Sequence, residues 1–150
     1  TSRNSWKSIS PSNFPAWRIA EAELMARQMG VNRFVSCQDE YSLVMRDIEK
    51  DLLPAAQEYK LGLLPFFPLA SGLLTGKYQR GAAAPADTRF AKAPGLRDRY
   101  ATPRNEDIVE NLRAFVQARG HTMLELAFSW LASRPKAFSR SANSLLRCQA

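Results

Sequence analysis

The sequence contains few of the features that would assign it to a membrane or to a disulfide scaffold. Its two cysteines allow at most one bridge, so a reducing, cytoplasmic location is the simpler interpretation. The most apolar stretch, Leu61 to Leu74, contains two prolines and is shorter than the about 20 apolar residues of a membrane span. No signal-peptide core follows the first residues. With 45% hydrophobic and 23% charged residues, the chain is expected to be one ordinary globular domain.

Positive charge is concentrated in one part of the chain. The formal net charge is +7, and residues 1–60 carry as many acidic as basic side chains. Residues 77–104 contain seven basic and two acidic side chains, a net charge of +5. This distribution favours a localised polyanion such as a phosphorylated cofactor, and a solvated basic loop is the other interpretation. Nucleic-acid binding is the weakest alternative because no recognised motif accompanies the charge.

Strands that alternate with helices predict an α/β fold with a parallel sheet. An apolar strand at Arg33–Gln38, a helix from about Asp47 to Tyr59 and a strand at Gly62–Phe66 form a βαβ pattern. Residues 68–103 are predicted to form a long basic loop. Further elements are a short strand at 6–9, a helix at 16–29, a helix opening at Thr102 and Pro103, and a last helix opening at the capping box Thr122–Glu125.

No residue of the sequence is assigned a catalytic or metal-binding role. The single histidine, His121, is expected at the surface between two helices, and Cys37 is expected to pack rather than react. Three acidic residues are expected to interact with a helix dipole rather than with a metal, namely Glu106, Asp107 and Glu110. Three aromatic residues are expected to face the core, namely Trp17, Phe128 and Trp130.

Polar and aromatic clusters follow the predicted strands, where parallel α/β sheets bind ligands. Ser12 and Asn13 form one cluster, and Gln38 begins a second. Their hydroxyl and amide groups offer the donors and acceptors that an amide-bearing ring requires. The third cluster runs from Phe66 to Tyr78. Its aromatic residue can stack on a planar ring, its small residues let backbone approach a phosphate, and its lysine adds charge.

These clusters resemble the aldo-keto reductase family. Three strings carry the resemblance, Ser12–Phe14, Asn32–Tyr41 and Leu63–Tyr78, and the third is the most specific. The similarity runs from about residue 12 to residue 135 and covers the family's C-terminal half, in the bacterial branch akin to potassium-channel β subunits. It implies a partial TIM (β/α)8 barrel with parallel strands and outer helices. Residues 1–150 are thus expected to be a fragment of an oxidoreductase domain, with residues 1–11 and 136–150 as atypical ends for which disorder is one interpretation.

The resemblance also implies a binding site for NADP(H). Ser12, Asn13 and Gln38 match residues that hold the nicotinamide carboxamide, and Phe66 matches the aromatic residue that stacks on the nicotinamide ring. Phe67, Leu69 and Ser71 match residues that line the pyrophosphate, and Lys77 matches a lysine on the phosphate side. Arg89 matches an arginine that contacts the cofactor, and Pro68 and Ala70 complete the expected cofactor-binding residues.

The implied activity is NADP-dependent hydride transfer between a carbonyl and an alcohol. The family's catalytic Tyr, Lys, Asp and His belong to the half that this chain does not resemble, so the chain alone is expected to be inactive. The alternative is a non-catalytic NADP-sensing or protein-interaction module. A carbonyl compound is the expected substrate of the complete enzyme. Because a half barrel exposes strand edges, the chain is expected to self-associate or to bind the missing half. Neither nucleic acid nor membrane is an expected partner.

Overall fold

A computed structural model describes residues 10–134, which divide into two compact units. The first unit contains residues 10–40 and 47–66 together with Arg134. The second contains Tyr41–Arg46 and Phe67–Ser133. None of the helices within residues 10–134 has the length and apolar character needed to cross a membrane.

The first unit is built on a two-stranded parallel sheet. Strand β1 (Ser36–Glu40) pairs with strand β2 (Gly62–Phe66). Ser12 adds an isolated parallel bridge to Gln38 of β1. Helix α1 (Ala16–Met29) packs on helix α2 (Leu52–Glu58), which also contacts β2. The parallel α/β arrangement predicted from the sequence is therefore confirmed for the described part of the chain, while the partial (β/α)8 barrel stays a prediction.

Helix α1 and strand β2 have the predicted bounds, but the region between them differs from the prediction. Strand β1 begins three residues later than expected. The predicted helix at 47–59 is split into a 3-10 turn at Asp47–Glu49 and helix α2. The cause is local: the Asp51 carboxylate accepts a hydrogen bond from the Leu52 N–H at 2.6 Å and restarts the helix. Pro54 fits in the first turn of α2 because that turn needs no backbone donor. The predicted strand at 6–9 lies outside the described residues.

The second unit contains more helix than the sequence predicted. Residues 68–103 were expected to form a loop, but they contain a 3-10 segment at Ala70–Thr75 and the short helices α3 (Arg89–Lys92) and α4 (Pro94–Tyr100). These pieces become ordered because apolar side chains within them enter the core of the unit. The buried members from this region are Ala70, Leu73, Leu74, Tyr78, Phe90 and Tyr100.

The last two helices begin as their capping residues predict. Helix α5 (Pro103–Gln117) starts after Thr102, whose hydroxyl accepts a hydrogen bond from the Asn105 N–H at 3.2 Å. Helix α6 (Met123–Ala132) starts with a complete capping box. There the Thr122 hydroxyl accepts from the Glu125 N–H, and the Glu125 carboxylate accepts from the Thr122 N–H.

Several apolar side chains that were expected in the core are exposed. Trp17 is 61% exposed and Phe128 is 53% exposed, so the prediction that both face the core is wrong, whereas Trp130 is half-buried against Tyr41. Helical periodicity identifies an apolar face but not the element that covers it. Three further apolar side chains of these helices are exposed, namely Met29, Phe115 and Leu124.

A buried ion pair fixes the loop between α1 and β1. Glu23 on α1 is 1% exposed, and its Oε2 accepts a hydrogen bond from Arg33 Nη1 at 2.9 Å. Arg27 Nε lies 3.9 Å from the same oxygen. The second oxygen, Oε1, is buried without a hydrogen-bond partner among the described residues. Because a buried carboxylate loses its hydration, the Arg33 guanidinium is its main compensation.

The substitution Arg33→Ala is expected to lower the free energy of unfolding by about 1–3 kcal/mol, because it leaves Glu23 buried with less compensation. Urea unfolding followed by circular dichroism measures this change. Lys50→Ala is the matched control, since Lys50 and Asp47 form an ion pair whose side chains are 79% and 82% exposed. That substitution is expected to cost less than about 1 kcal/mol. Equal losses in the two variants would contradict the buried role of Glu23.

Candidate functional site

The amide cluster, defined as Ser12, Asn13 and Gln38, lies together at one side of the first unit. The Asn13 N–H donates to the Gln38 carbonyl at 3.0 Å, and Asn13 Nδ2 donates to Ser12 Oγ at 3.1 Å. All three side chains are exposed. Asn13 has φ 56, a left-handed conformation that asparagine tolerates better than most residues. The structure therefore brings these three residues together, and their role in holding a carboxamide stays a prediction.

Phe66 ends strand β2 in the same unit and is half-buried. Its register partner is Glu40 of β1, and Gln38 pairs with Leu64 two residues earlier. Since the strands are parallel, Phe66 lies towards the carboxyl end of the sheet, where ligands of parallel sheets bind. The position agrees with the expected stacking role, and the role itself stays a prediction.

A pocket of about 460 Å³ adjoins the amide cluster at Asn13. Three carboxylates line it, and Lys50 is its cation. Burial raises the pKa of Asp39, the hydrogen bond from the Glu40 N–H opposes this, and the charges of Glu40 and Asp51 raise it further. The sequence singled out Asp39 only as part of a polar string, and it gave no signal for Asp51. The complete lining is Asn13, Phe14, Pro15, Asp39, Asp47, Ile48, Lys50, Asp51 and Leu52.

The Lys77 pocket, about 430 Å³ in volume, lies in the second unit. It brings together six residues that the resemblance assigned to cofactor binding: Phe67, Pro68, Leu69, Ser71, Lys77 and Arg89. Gly72 and Thr75 complete the lining. Gly72 was noted in the sequence only as a small residue, and Thr75 was missed. Ala70 is fully buried in the core and is not part of the lining.

The turn that builds the Lys77 pocket has an unusual backbone. Phe67, Ala70, Ser71 and Gly72 all have positive φ, between 47 and 99. The Ala70 N–H donates to the Phe67 carbonyl at 2.8 Å, and the Gly72 N–H donates to the Leu69 carbonyl at 2.9 Å. These backbone hydrogen bonds stabilise the turn without a contribution from a ligand.

The Lys77 pocket has the chemistry of a phosphate site. Lys77 and Arg89 supply two exposed cations, and no carboxylate belongs to the lining. The Ser71 hydroxyl is buried and has no hydrogen-bond partner among the described residues. A phosphate oxygen would satisfy this donor and lie against both cations. The residues present therefore fit a phosphate-bearing group.

Neither the cysteine nor the histidine of the described chain has the features of a catalytic group. Burial and the Asp39 charge raise the pKa of the Cys37 thiol to about 11, which keeps it protonated and unreactive at neutral pH. His121 is an exposed residue just before α6, 3.6 Å from the Glu125 carboxylate. Both sequence predictions are confirmed. No group of three potential metal ligands occurs among residues 10–134.

The substitution Asp39→Asn is expected to raise the urea midpoint at pH 7. The pKa of Asp39 is higher in the folded chain than its ordinary value, so ionisation above that pKa disfavours the folded state. The difference in urea midpoint between Asp39→Asn and the parent chain should vanish as the pH falls below about 3.9, the unfolded-state pKa of an aspartate. Below that pH Asp39 is protonated in both the folded and the unfolded state. Asp47→Asn, at a side chain 82% exposed, is the control and should give no stabilisation at pH 7. A variant less stable than the parent at pH 7 would contradict the burial effect.

Comparison with known proteins identifies the family of the chain. The model of the Aldo/keto reductase family matches residues 5–142. A probable voltage-gated potassium channel subunit beta of Oryza sativa is 35% identical over 136 residues, which are 85% of this chain and 40% of that protein. The L-glyceraldehyde 3-phosphate reductase of Escherichia coli is 38% identical over 99 residues, 63% of this chain and 28% of that protein.

A third relative, an uncharacterized oxidoreductase of Bacillus subtilis, is 31% identical over 127 residues, 85% of this chain and 36% of that protein. The chain thus spans 40% or less of the length of these relatives. The family model covers most of the chain, including all the residues that line the Lys77 pocket and the amide cluster. The chain belongs to the aldo/keto reductase family.

Proposed function

We propose that this chain is the cofactor-binding part of an NADP-dependent oxidoreductase, within the C-terminal half of a (β/α)8 barrel. The observation that carries the proposal is the lining of the Lys77 pocket, which contains two cations, no carboxylate, and Ser71, whose buried hydroxyl has no hydrogen-bond partner among residues 10–134. In an enzyme of this kind the bound NADPH supplies a hydride to a carbonyl carbon.

The phosphates of the cofactor are assigned to the Lys77 pocket. Lys77 and Arg89 neutralise phosphate charge, and Ser71 donates a hydrogen bond from a position where water has little access. The excess of basic side chains in residues 77–104 attracts the dianionic phosphate that distinguishes NADPH from NADH. NADP(H) is for this reason proposed over NAD(H).

The nicotinamide part of the cofactor is assigned to the first unit. An amide presents one acceptor and two donor hydrogens, and the exposed Asn13 and Gln38 side chains present the complementary set. Ser12 holds the Asn13 amide through its hydroxyl, and this contact fixes the orientation of that amide. The half-buried ring of Phe66 provides an apolar face for a planar ring.

The substitutions Lys77→Gln and Arg89→Gln are each expected to weaken NADPH binding about tenfold, because a hydrogen bond to a charged group contributes about 1.5–3 kcal/mol. Tryptophan quenching at fixed ionic strength measures the dissociation constant. Lys92→Gln is the matched control: it removes one positive charge from the same basic segment, but Lys92 pairs with Asp87 at 2.6 Å and does not line the pocket. A loss of the same size in Lys92→Gln would indicate general charge attraction and contradict the assignment.

The chain alone is expected to bind NADPH without reducing a carbonyl compound. The family's catalytic Tyr, Lys, Asp and His belong to the half that this chain does not resemble, so the tyrosine that would give a proton to the carbonyl oxygen is not expected in this chain. Loss of NADPH absorbance in the presence of an aldehyde measures turnover. Turnover by the purified chain would contradict the expected inactivity and support an enzyme. Binding without turnover supports a cofactor-binding part and equally fits the alternative, a non-catalytic NADP-sensing or interaction module.

A further inference from the structure

The backbone of Lys77 is held on both sides by one side chain from helix α5. Arg113 Nη1 donates to the carbonyl of Gly76 at 3.1 Å, and Nη2 donates to the carbonyl of Tyr78 at 2.8 Å. These are the residues immediately before and after Lys77. Because a guanidinium is planar and rigid, the two carbonyls are held in a fixed relation to each other. The Arg113 side chain is only 22% exposed, so packing also restricts it.

The side chain of Lys77 lies across the bare backbone of Gly72. A Cβ atom on Gly72 would be 3.1 Å from Lys77 Cε and 3.3 Å from Lys77 Nζ. The first of these distances is shorter than ordinary van der Waals contact between carbon atoms. A Cβ at position 72 would therefore push the end of the lysine side chain aside by a few tenths of an ångström.

The ring of Tyr78 holds the Lys77 ammonium from another direction. Lys77 Nζ lies 5.3 Å from the centroid of this ring, within the range of a cation–π interaction. The ring is itself fixed, because it stacks on Phe90 at 4.3 Å and its hydroxyl accepts a hydrogen bond from the Phe90 N–H. The exposed ammonium thus lies beside a rigid aromatic surface.

Backbone conformation alone does not explain the arrangement at Gly72. Gly72 has φ +99, which favours glycine, but Gly76 and Gly81 also have positive φ, +84 and +71. A Cβ on Gly76 would meet Met123 of the core, and a Cβ on Gly81 would meet nothing within 4 Å. Gly72 and Gly81 therefore share one backbone requirement, and of these two glycines only Gly72 has the Lys77 side chain against it.

We propose that Gly72 and Arg113 are positioning residues for the Lys77 ammonium. Arg113 fixes the backbone from which the lysine extends, and Gly72 leaves room for its side chain along the wall of the pocket. The consequence for binding rests on the proposed function, in which Lys77 contacts a phosphate of NADP(H). A lysine side chain has four rotatable carbon–carbon bonds, so ordering it before the ligand arrives strengthens binding.

The first test observes Lys77 without any nucleotide. Lysines of the purified chain are converted to ¹³C-dimethyl-lysine, which keeps the charge, and the Lys77 signal is identified by its loss in Lys77→Gln. The Tyr78 ring should shift this signal upfield in the parent chain and in Gly81→Ala. In Gly72→Ala, and in Arg113→Lys, which cannot donate to both carbonyls, the signal should return to the position of an exposed lysine. Circular dichroism verifies that each variant is folded.

The second test measures NADPH affinity in a double-mutant cycle. Gly72→Ala should weaken binding about tenfold in the parent chain and by less than about twofold in the Lys77→Gln background, because interacting residues are not additive. Gly81→Ala should leave the affinity unchanged in both. A purely structural effect of Gly72→Ala would instead weaken binding equally in the two backgrounds.

The outcomes separate this inference from the proposed function. A Lys77 signal that stays upfield in folded Gly72→Ala and Arg113→Lys overturns the positioning roles, as do equal losses of affinity in the two backgrounds. If the parent chain binds no NADPH but the signal moves as expected, the proposed function is wrong and the positioning roles stand. If Arg113→Lys alone fails to fold, Gly72→Ala with its Gly81→Ala control still tests the role of Gly72. The role of Arg113 is then tested with Arg113→Gln.

Discussion

The turn at residues 67–72 is the constraint on which the rest of the second unit's site depends. Phe67, Ala70 and Ser71 adopt left-handed backbone conformations without being glycine, and such conformations cost about 1–2 kcal/mol each. The compensation is packing: Ala70, Leu73 and Leu74 are buried in the core directly beside the turn. Strained backbone persists where surrounding structure fixes it, and it concentrates at ligand sites. The direction of the Ser71 hydroxyl and the path of the chain to Lys77 both follow from this turn.

The elements that the sequence predicted correctly are those decided by local chemistry. Strand β2 lies between Gly62 and Phe66 as expected, and helix α6 begins at the capping residues Thr122 and Glu125. The secondary-structure prediction failed where tertiary contacts determine the local conformation. Residues 68–103 have the composition of a loop, yet Phe90 and Tyr100 enter the core and order short helices around them. The exposure of Trp17 has the same origin, because periodicity does not identify the element opposite a helix face.

The site was predictable where residues adjacent in the chain also act together. Ser71 and Lys77 belong to one continuous string, and the resemblance identified both. Arg113 had no such signal: it lies on helix α5, and its bonds to the carbonyls of Gly76 and Tyr78 depend on how that helix packs. The raised pKa of Asp39 could not be predicted from the sequence either, because its largest cause is burial, which depends on the tertiary structure. The sequence therefore assigned roles to residues that line the pocket, but it gave no role to Arg113, whose contacts depend on tertiary packing.

The two cations of the Lys77 pocket, Lys77 and Arg89, differ in how much conformational freedom their side chains must lose to contact a phosphate. Lys77 already lies beside the ring of Tyr78, and this cation–π contact at an exposed site is worth only about 0.5–1 kcal/mol. A charge-assisted hydrogen bond to a phosphate oxygen is stronger, so the ammonium can leave the ring at small cost. Arg89 opens the four-residue helix α3, and its exposed side chain has more rotational freedom to lose on binding. On the proposed assignment, Lys77 is the preorganised contact of the pocket, and Arg89 contributes mainly charge.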